Sequence, residues 1–242
     1  MRQPSPSSRI APGGHLINRE RIKNGFFTKL IVAEAERRGY FRPMSDAERE
    51  ASWRAMLAEG PPGGEVWVFG YGSLMWNPAF HYTLRRKGLV RGYHRRHCMW
   101  SGFGRGSDEF KGLMLGLDRG GSCHGVAFRI APEEVEEEID IIWKREMIGG
   151  AYRPRWLKVL TAEGPVRAIA FTINRGYERY AGRLPDDIIV AHVATAEGKL
   201  GTCHEYLVNT VAQLDELGIR DGAMHDLLRQ VEDYRENGGM NR

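Results

Sequence analysis

Two short stretches of the chain carry residue types whose spacing suits anion binding and proton transfer. In the first, Val66 to Leu74 (VWVFGYGSL), an apolar β-like run stops at Gly70-Tyr71-Gly72-Ser73. Two glycines let the backbone turn sharply and present successive N–H groups with no Cβ in the way. Such a nest suits a carboxylate or a developing oxyanion, although a Gly-x-Gly also serves as a plain strand-ending turn. Met75-Trp76-Asn77-Pro78 follows and keeps large rings beside the turn.

The second stretch, Pro132 to Met147 (PEEVEEEIDIIWKREM), reads as a helix. Pro132 suits the first helical position, Glu133 and Glu134 suit the first turn, and Gly149-Gly150 end it. Val135, Ile139, Ile142 and Glu146 recur at i, i+4, i+7 and i+11, one narrow stripe at 100° per residue. Glu146 thus continues an apolar face, whereas Glu133, Glu134, Glu136, Glu137 and Asp140 point elsewhere. A carboxylate on a buried stripe is costly unless it is paired or used. Desolvation and the negative end of the helix dipole both raise its pKa and make it a better proton acceptor. The competing reading is a structural pair with Arg153 or Arg155.

Other chemistry-bearing residues are weaker candidates. Tyr93-His94-Arg95-Arg96-His97 beside Trp100 mixes rings and cations as a nucleic-acid surface does, but it also fits one polar strand face. His94, His97 and Cys98 do not converge on one metal, because neighbours on a strand point to opposite faces. Cys203-His204-Glu205 opens a helix without an orienting partner for a nucleophile. Tyr177 and Tyr180 fit a pocket lining or a cover over a barrel mouth.

The elements that must position these residues can be sketched along the chain. Met1 to Gly14 reads as a tail, Asn18 to Arg38 as a helix, and Ser45 with Glu48 as a capping box for a second helix ending near Leu57. Glu59-Gly60-Pro61-Pro62-Gly63-Gly64 is the clearest boundary. Strands are expected over Val66–Phe69 and Leu89–Trp100. Leu113–Leu117 and His124–Ile130 flank Asp118-Arg119-Gly120-Gly121 as one hairpin, and Arg155–Leu160 and Val166–Ile173 flank Ala162-Glu163-Gly164-Pro165 as another. Helices then follow over Asp187–Glu197, Cys203–Leu217 and Asp221–Glu236. This order predicts an α+β fold: a small β-barrel or curved mixed sheet with surrounding helices and an extra helical N-terminal extension.

Bulk properties narrow the class. The 242 residues, 42% of them hydrophobic, suffice for one large core plus a small extension. A net charge of +4, with acidic and basic residues interleaved, fits ordinary surface charge or a basic cleft for a small anionic substrate. Cys98, Cys123 and Cys203 show no metal or redox spacing, which points to a reducing, cytoplasmic location. No run of 18 apolar residues is present, so no membrane span is expected, and residues 1–25 lack the apolar segment of a signal peptide.

The run VFGYGSLMWNP resembles the signature of the ChaC-like γ-glutamylcyclotransferases. Arg145-Glu146-Met147-Ile148-Gly149-Gly150-Ala151-Tyr152 is similar to that family's Arg-Glu pair before a Gly-Gly-Tyr loop. Gly92-Tyr93-His94-Arg95-Arg96 with WSGFGRG, and Gly201 with Glu205-Tyr206-Leu207, also resemble family segments, so the likeness spans about Val66 to Tyr234. Met147 departs from the Lys of many members, and the loop from Glu146 to Tyr152 is longer than their form.

The resemblance implies a γ-glutamylcyclotransferase-like fold over residues 65–238, with 1–64 as tail and helical extension. It implies glutathione, or another γ-glutamyl amine or dipeptide, as a small-molecule substrate, with no nucleic acid or membrane partner. A noncatalytic γ-glutamyl-binding module is the other reading. Glu146 is then the catalytic acid/base, and Val68, Phe69, Gly70, Tyr71, Gly72, Ser73 and Leu74 bind the substrate. Arg105 is a candidate for its far carboxylate. The substrate's own amine attacks its γ-carbonyl, so the resemblance implies no metal and no cofactor.

Overall fold

The computed structural model describes residues 17–39, 41–61 and 63–237. The expected tail Met1–Gly14 and Pro62 of the boundary cluster lie outside the described residues. Helices α1 (Arg19–Lys23), α2 (Phe26–Arg38) and α3 (Asp46–Ala58) come first, then strand β1 (Trp67–Gly70) and the short α4 (Ser73–Trp76). Two long strands follow, β2 (Leu84–Ser101) and β3 (Gly112–Arg129), then a 3-10 turn Pro132–Glu134 leading into α5 (Val135–Glu146). The hairpin β4 (Tyr152–Thr161) and β5 (Gly164–Ile173) precedes α6 (Asp186–Thr195), the short pair β6 (Glu197–Gly198) and β7 (Gly201–Thr202), α7 (Cys203–Glu216) and α8 (Gly222–Asn237).

Strands β1, β3, β2, β4 and β5 close into a barrel in that order. Closure comes from parallel pairing of β1 with β5, Trp67 opposite Ala168 and Val68 opposite Ile169; β1–β3, β3–β2, β2–β4 and β4–β5 are antiparallel. Side-chain alternation sends Trp67, Phe69, Ala168 and Ala170 into one apolar cluster that contains no helical residue, the barrel interior. Val68, Ile169 and Phe171 point the other way, into a second cluster shared with the helices. Burial on both faces explains why β1 reads as an unbroken apolar run rather than an alternating one. Each of the large side chains sealed here contributes about 1.5–3 kcal/mol.

Three sequence expectations are modified. The helix expected over Asn18–Arg38 is two helices: Asn18 caps α1, and Gly25, at φ 76°, breaks the run before α2. The hairpin expected at Asp118–Gly121 is absent. Residues 112–129 form one strand paired along β2, and Gly120 (φ 103°) and Gly121 (φ 65°) form a bulge opposite Gly92. A positive-φ glycine pair serves a bulge as well as a tight turn, and here both flanks find their partner in β2. That strand begins at Leu84, five residues before the expected Leu89. The second hairpin and the Ser45–Glu48 capping box are present as expected.

The N-terminal helices pack on α5. The hydroxyl of Thr28 in α2 donates to the carbonyl of Lys144 at 3.0 Å, satisfying one of the orphan acceptors at the end of α5. Trp143 Nε1 donates to Ser52 of α3 at 3.1 Å. Arg19 of α1 pairs with Glu138, whose side chain is 1% exposed. The stripe reading overlooked Glu138, because α5 is buried on the side facing the N-terminal helices as well as on the side facing the barrel.

Candidate active site

Glu146 ends α5, one turn after Ile142 on the buried stripe, and its side chain is 14% exposed. Burial pushes its carboxyl up from the ordinary glutamate value, and the neighbouring Arg145 guanidinium pulls it partly back. The partner is not Arg153 or Arg155 but Arg145, whose Nε lies 2.9 Å from Glu146 Oε1.

Arg145 is the hub of the site. Its Nη2 donates to the Ser73 hydroxyl at 2.9 Å, and its Nη1 donates to the carbonyls of Asn77 and Pro78 at 2.5 and 3.3 Å. One planar guanidinium therefore fixes the end of α5 to the turn that follows β1. Sequence reasoning used Arg145 only as half of a motif. Its adjacency to Glu146 was the available signal.

Opposite this pair stands Tyr206 of α7. A Cβ on Gly72 would come within 2.7 Å of the Tyr206 hydroxyl, so the close approach requires glycine there. The Tyr206 oxygen lies against the backbone N–H of Ser73, and burial pushes its phenol up to about 12. Trp76 meets the Tyr206 ring edge-on at 5.9 Å. Tyr152, at the start of β4, donates to the Leu115 carbonyl at 3.2 Å. Burial and the charge of Glu146 push its phenol well above the ordinary value. At neutral pH these phenols are neutral hydrogen-bonding groups.

A cavity of about 220 Å³ opens at this point, lined among others by Ser73, Trp76, Arg145, Glu146, Tyr152 and Tyr206. Of the run Val68–Leu74, Ser73 lines it. Val68, Phe69 and Leu74 put their side chains into the core, and Tyr71 donates its hydroxyl to the Phe171 carbonyl at 2.9 Å. Gly70 and Gly72 are buried in the turn. Any contact of Val68, Phe69, Gly70, Gly72 or Leu74 with a ligand thus passes through backbone groups. The N-terminal segment supplies another wall through Phe27, Ile31, Glu34, Ala35 and Phe41.

The remaining candidates separate from the cavity or prove to be structural. Arg95 pairs with Asp221 at 2.8 Å and Arg96 with Asp118 at 2.6 Å, so neither presents an unneutralised charge on the β2 face. His97 is buried and held down to about 4 by desolvation. The Cys203 thiol donates to the Arg105 carbonyl at 3.0 Å, and burial pushes it up to about 11, the wrong direction for a nucleophile. Arg105 lines the cavity but is committed to the Thr202 carbonyl at 2.7 Å and to Glu205 at 3.3 Å. His81, Glu134 and Glu138 bring potential metal-ligating atoms within 4.8 Å of one another. They lie outside the cavity lining, and Glu138 is already held by Arg19 and by the His81 backbone N–H. Among the described residues, no helix is long and apolar enough to cross a membrane.

Comparison with known proteins adds to this geometry. A family model described as ChaC-like protein matches residues 66–234. The chain is 41% identical over 189 residues to a glutathione-specific gamma-glutamylcyclotransferase of Escherichia coli strain K12, covering 78% of this chain and 82% of that one. It is 33% identical over 171 residues to glutathione-specific gamma-glutamylcyclotransferase 1 of Mus musculus, covering 69% and 76%. Among solved structures, the fold is similar to a yeast gamma-glutamyl cyclotransferase specific to glutathione. The TM-score is 0.65 and the identity 22%, over 71% of this chain and 97% of that one.

Proposed function

We propose that this chain, which belongs to the ChaC-like family, degrades glutathione to 5-oxoproline and cysteinylglycine with Glu146 as the proton carrier. The observation that carries the reading is a carboxylate of raised pKa lining a cavity beside the Ser73 turn. The reaction is a γ-glutamyl cyclotransfer. The substrate's α-nitrogen forms a bond to the carbon of its own γ-carbonyl, and the carbonyl electron pair moves onto oxygen. The amide C–N bond then breaks and the pair returns.

An α-ammonium titrates at about 8, so at neutral pH it must lose a proton before it can attack. Glu146 accepts that proton and delivers it to the leaving nitrogen. The attacking nitrogen gives up a second proton as the ring amide forms, which completes the charged leaving amine. Such proton transfer is worth roughly 10²–10⁴-fold. Nucleophile and electrophile belong to one molecule, so folding the glutamyl chain into a ring geometry supplies several kcal/mol of the barrier through effective molarity. Nothing in this sequence of steps calls for a metal or a redox cofactor. In this reading the backbone around Gly70, Tyr71, Gly72, Ser73 and Leu74 grips the α-carboxylate, the oxyanion or both. Arg145 holds Ser73 and Glu146 in fixed relation.

The same proposal assigns residues 65–238 to the catalytic unit and 1–64 to a tail and helical extension. It places the reaction in the cytoplasm on a free small molecule, without nucleic acid or membrane partners, in keeping with three buried free cysteines. The test is release of 5-oxoproline and cysteinylglycine from glutathione by the purified protein, beside γ-glutamylalanine and γ-glutamyl-lysine. Turnover of glutathione alone is expected. Turnover of the others instead would keep the chemistry and change the substrate, and no turnover by a folded protein that binds them would mark a binding module.

A further inference from the structure

Three arginines line the cavity, and two of them are paired with carboxylates. Arg145 faces Glu146 and Arg105 faces Glu205. The third, Arg179, has no carboxylate partner among the described residues. Its Nε and Nη2 donate to the hydroxyl of Tyr177 at 3.2 and 2.8 Å, a neutral acceptor. Its guanidinium lies 4.7 Å from the centre of the Phe41 ring and 5.1 Å from that of Tyr177. Two rings and one hydroxyl thus fix its plane without cancelling its charge, and the Nη1 edge stays available. A half-buried cation held this way is costly unless an anion completes it.

Its place in the cavity indicates which anion. Glu146, Tyr152 and Arg179 line the same cavity, and the Tyr152 phenol feels the charges of both Glu146 and Arg179. Gly150, in the loop that follows Glu146, packs against the Tyr177 ring that orients Arg179. Glu34, the acidic residue of the α2 wall, is bound to Arg37 and Arg38. A substrate whose γ-glutamyl end sits at Glu146 therefore extends toward a guanidinium with an open edge.

Resting on the reading above, we propose that Arg179, laid on Phe41 of the N-terminal segment, binds the terminal carboxylate on the leaving-group side of the substrate. It thereby selects γ-glutamyl peptides over γ-glutamyl amines. Arg179 takes the role for which the sequence suggested Arg105, whose charge is already paired with the Glu205 carboxylate through Nη1. Phe41 is a positioning residue. It touches Arg179 and not the reacting atoms.

The experiment is a substrate–variant cycle: wild type, Arg179→Ala and Arg179→Lys, each with glutathione and with the monoethyl ester of its glycine carboxylate. Wild type is expected to prefer glutathione over the ester, chiefly in KM, by about 10- to 100-fold, the range of a charge-assisted hydrogen bond. Arg179→Ala should lose that preference by raising KM for glutathione, with the ester far less affected, and Arg179→Lys should recover part of it. If Arg179→Ala keeps the preference, or lowers kcat/KM equally for both substrates while remaining folded, the assignment is wrong. Absence of 5-oxoproline from glutathione with wild type would instead overturn the cyclotransferase reading itself.

Discussion

Nε of Arg145 lies 2.9 Å from Oε1 of Glu146, although the two are consecutive residues of α5. Burial raises the affinity of Glu146 for a proton and this cation lowers it. Removing the cation leaves burial unopposed, so the carboxyl should hold its proton to a higher pH. A base must be ionised to act, and the acidic limb of kcat/KM should therefore move to higher pH in Arg145→Gln. An unmoved limb, or one displaced to lower pH, would contradict the assignment.

Glu146→Gln keeps the shape and removes the proton acceptor. Turnover should fall by at least about 10²-fold, with glutathione affinity by calorimetry changed only a few-fold. Glu146→Asp should retain part of the activity if the proton can be reached across a longer gap. Substantial turnover by the Gln variant would sink the mechanism.

Gly72 and Tyr206 form a tight pair across the turn. Gly72→Ala brings a Cβ to 2.7 Å from the Tyr206 hydroxyl, whereas the ring carbon behind that oxygen is 3.9 Å away. Overpacking of this kind costs about 1–3 kcal/mol. Tyr206→Phe removes the clashing atom, so the double variant should be more stable than the two single losses added together. Additive losses in urea unfolding would show that the contact is not the cause.

Arg19 and the buried Glu138 make an ion pair between α1 and α5, and neither residue lines the cavity. Arg19→Ala leaves the Glu138 carboxylate buried with the His81 backbone N–H at 3.0 Å and the His81 ring nearby, but without its guanidinium. A loss of about 3–5 kcal/mol in unfolding free energy is expected. Replacing both partners by apolar residues should cost much less.

The sequence made part of this site legible for a definite reason. Glu146 was visible because a 3.6-residue period places its carboxylate among Ile139 and Ile142, and the Gly-Tyr-Gly-Ser turn was visible because β1 ends so abruptly. Tyr206 carried a weaker signal through its Glu-Tyr-Leu neighbourhood. Arg179 and Phe41 carried none, since they meet across a separation in the chain that no local pattern reports. Glu138 escaped notice because a helix buried on two sides does not obey a single stripe. Gly120-Gly121 was misread because positive φ is common to turns and bulges, and only pairing with β2 distinguishes them.

The segment from Phe27 to Phe41 lies outside the stretch that the ChaC-like model matches, yet it supplies one wall of the cavity. The part of the chain that marks its kinship therefore supplies the chemical groups and most of the enclosure, and a separate length of sequence closes one side. Changes in the leading helices could retune what the cavity admits while the barrel and its carboxylate stay as they are. A shortened chain starting at β1 would keep the chemical groups and exchange that wall for bulk water.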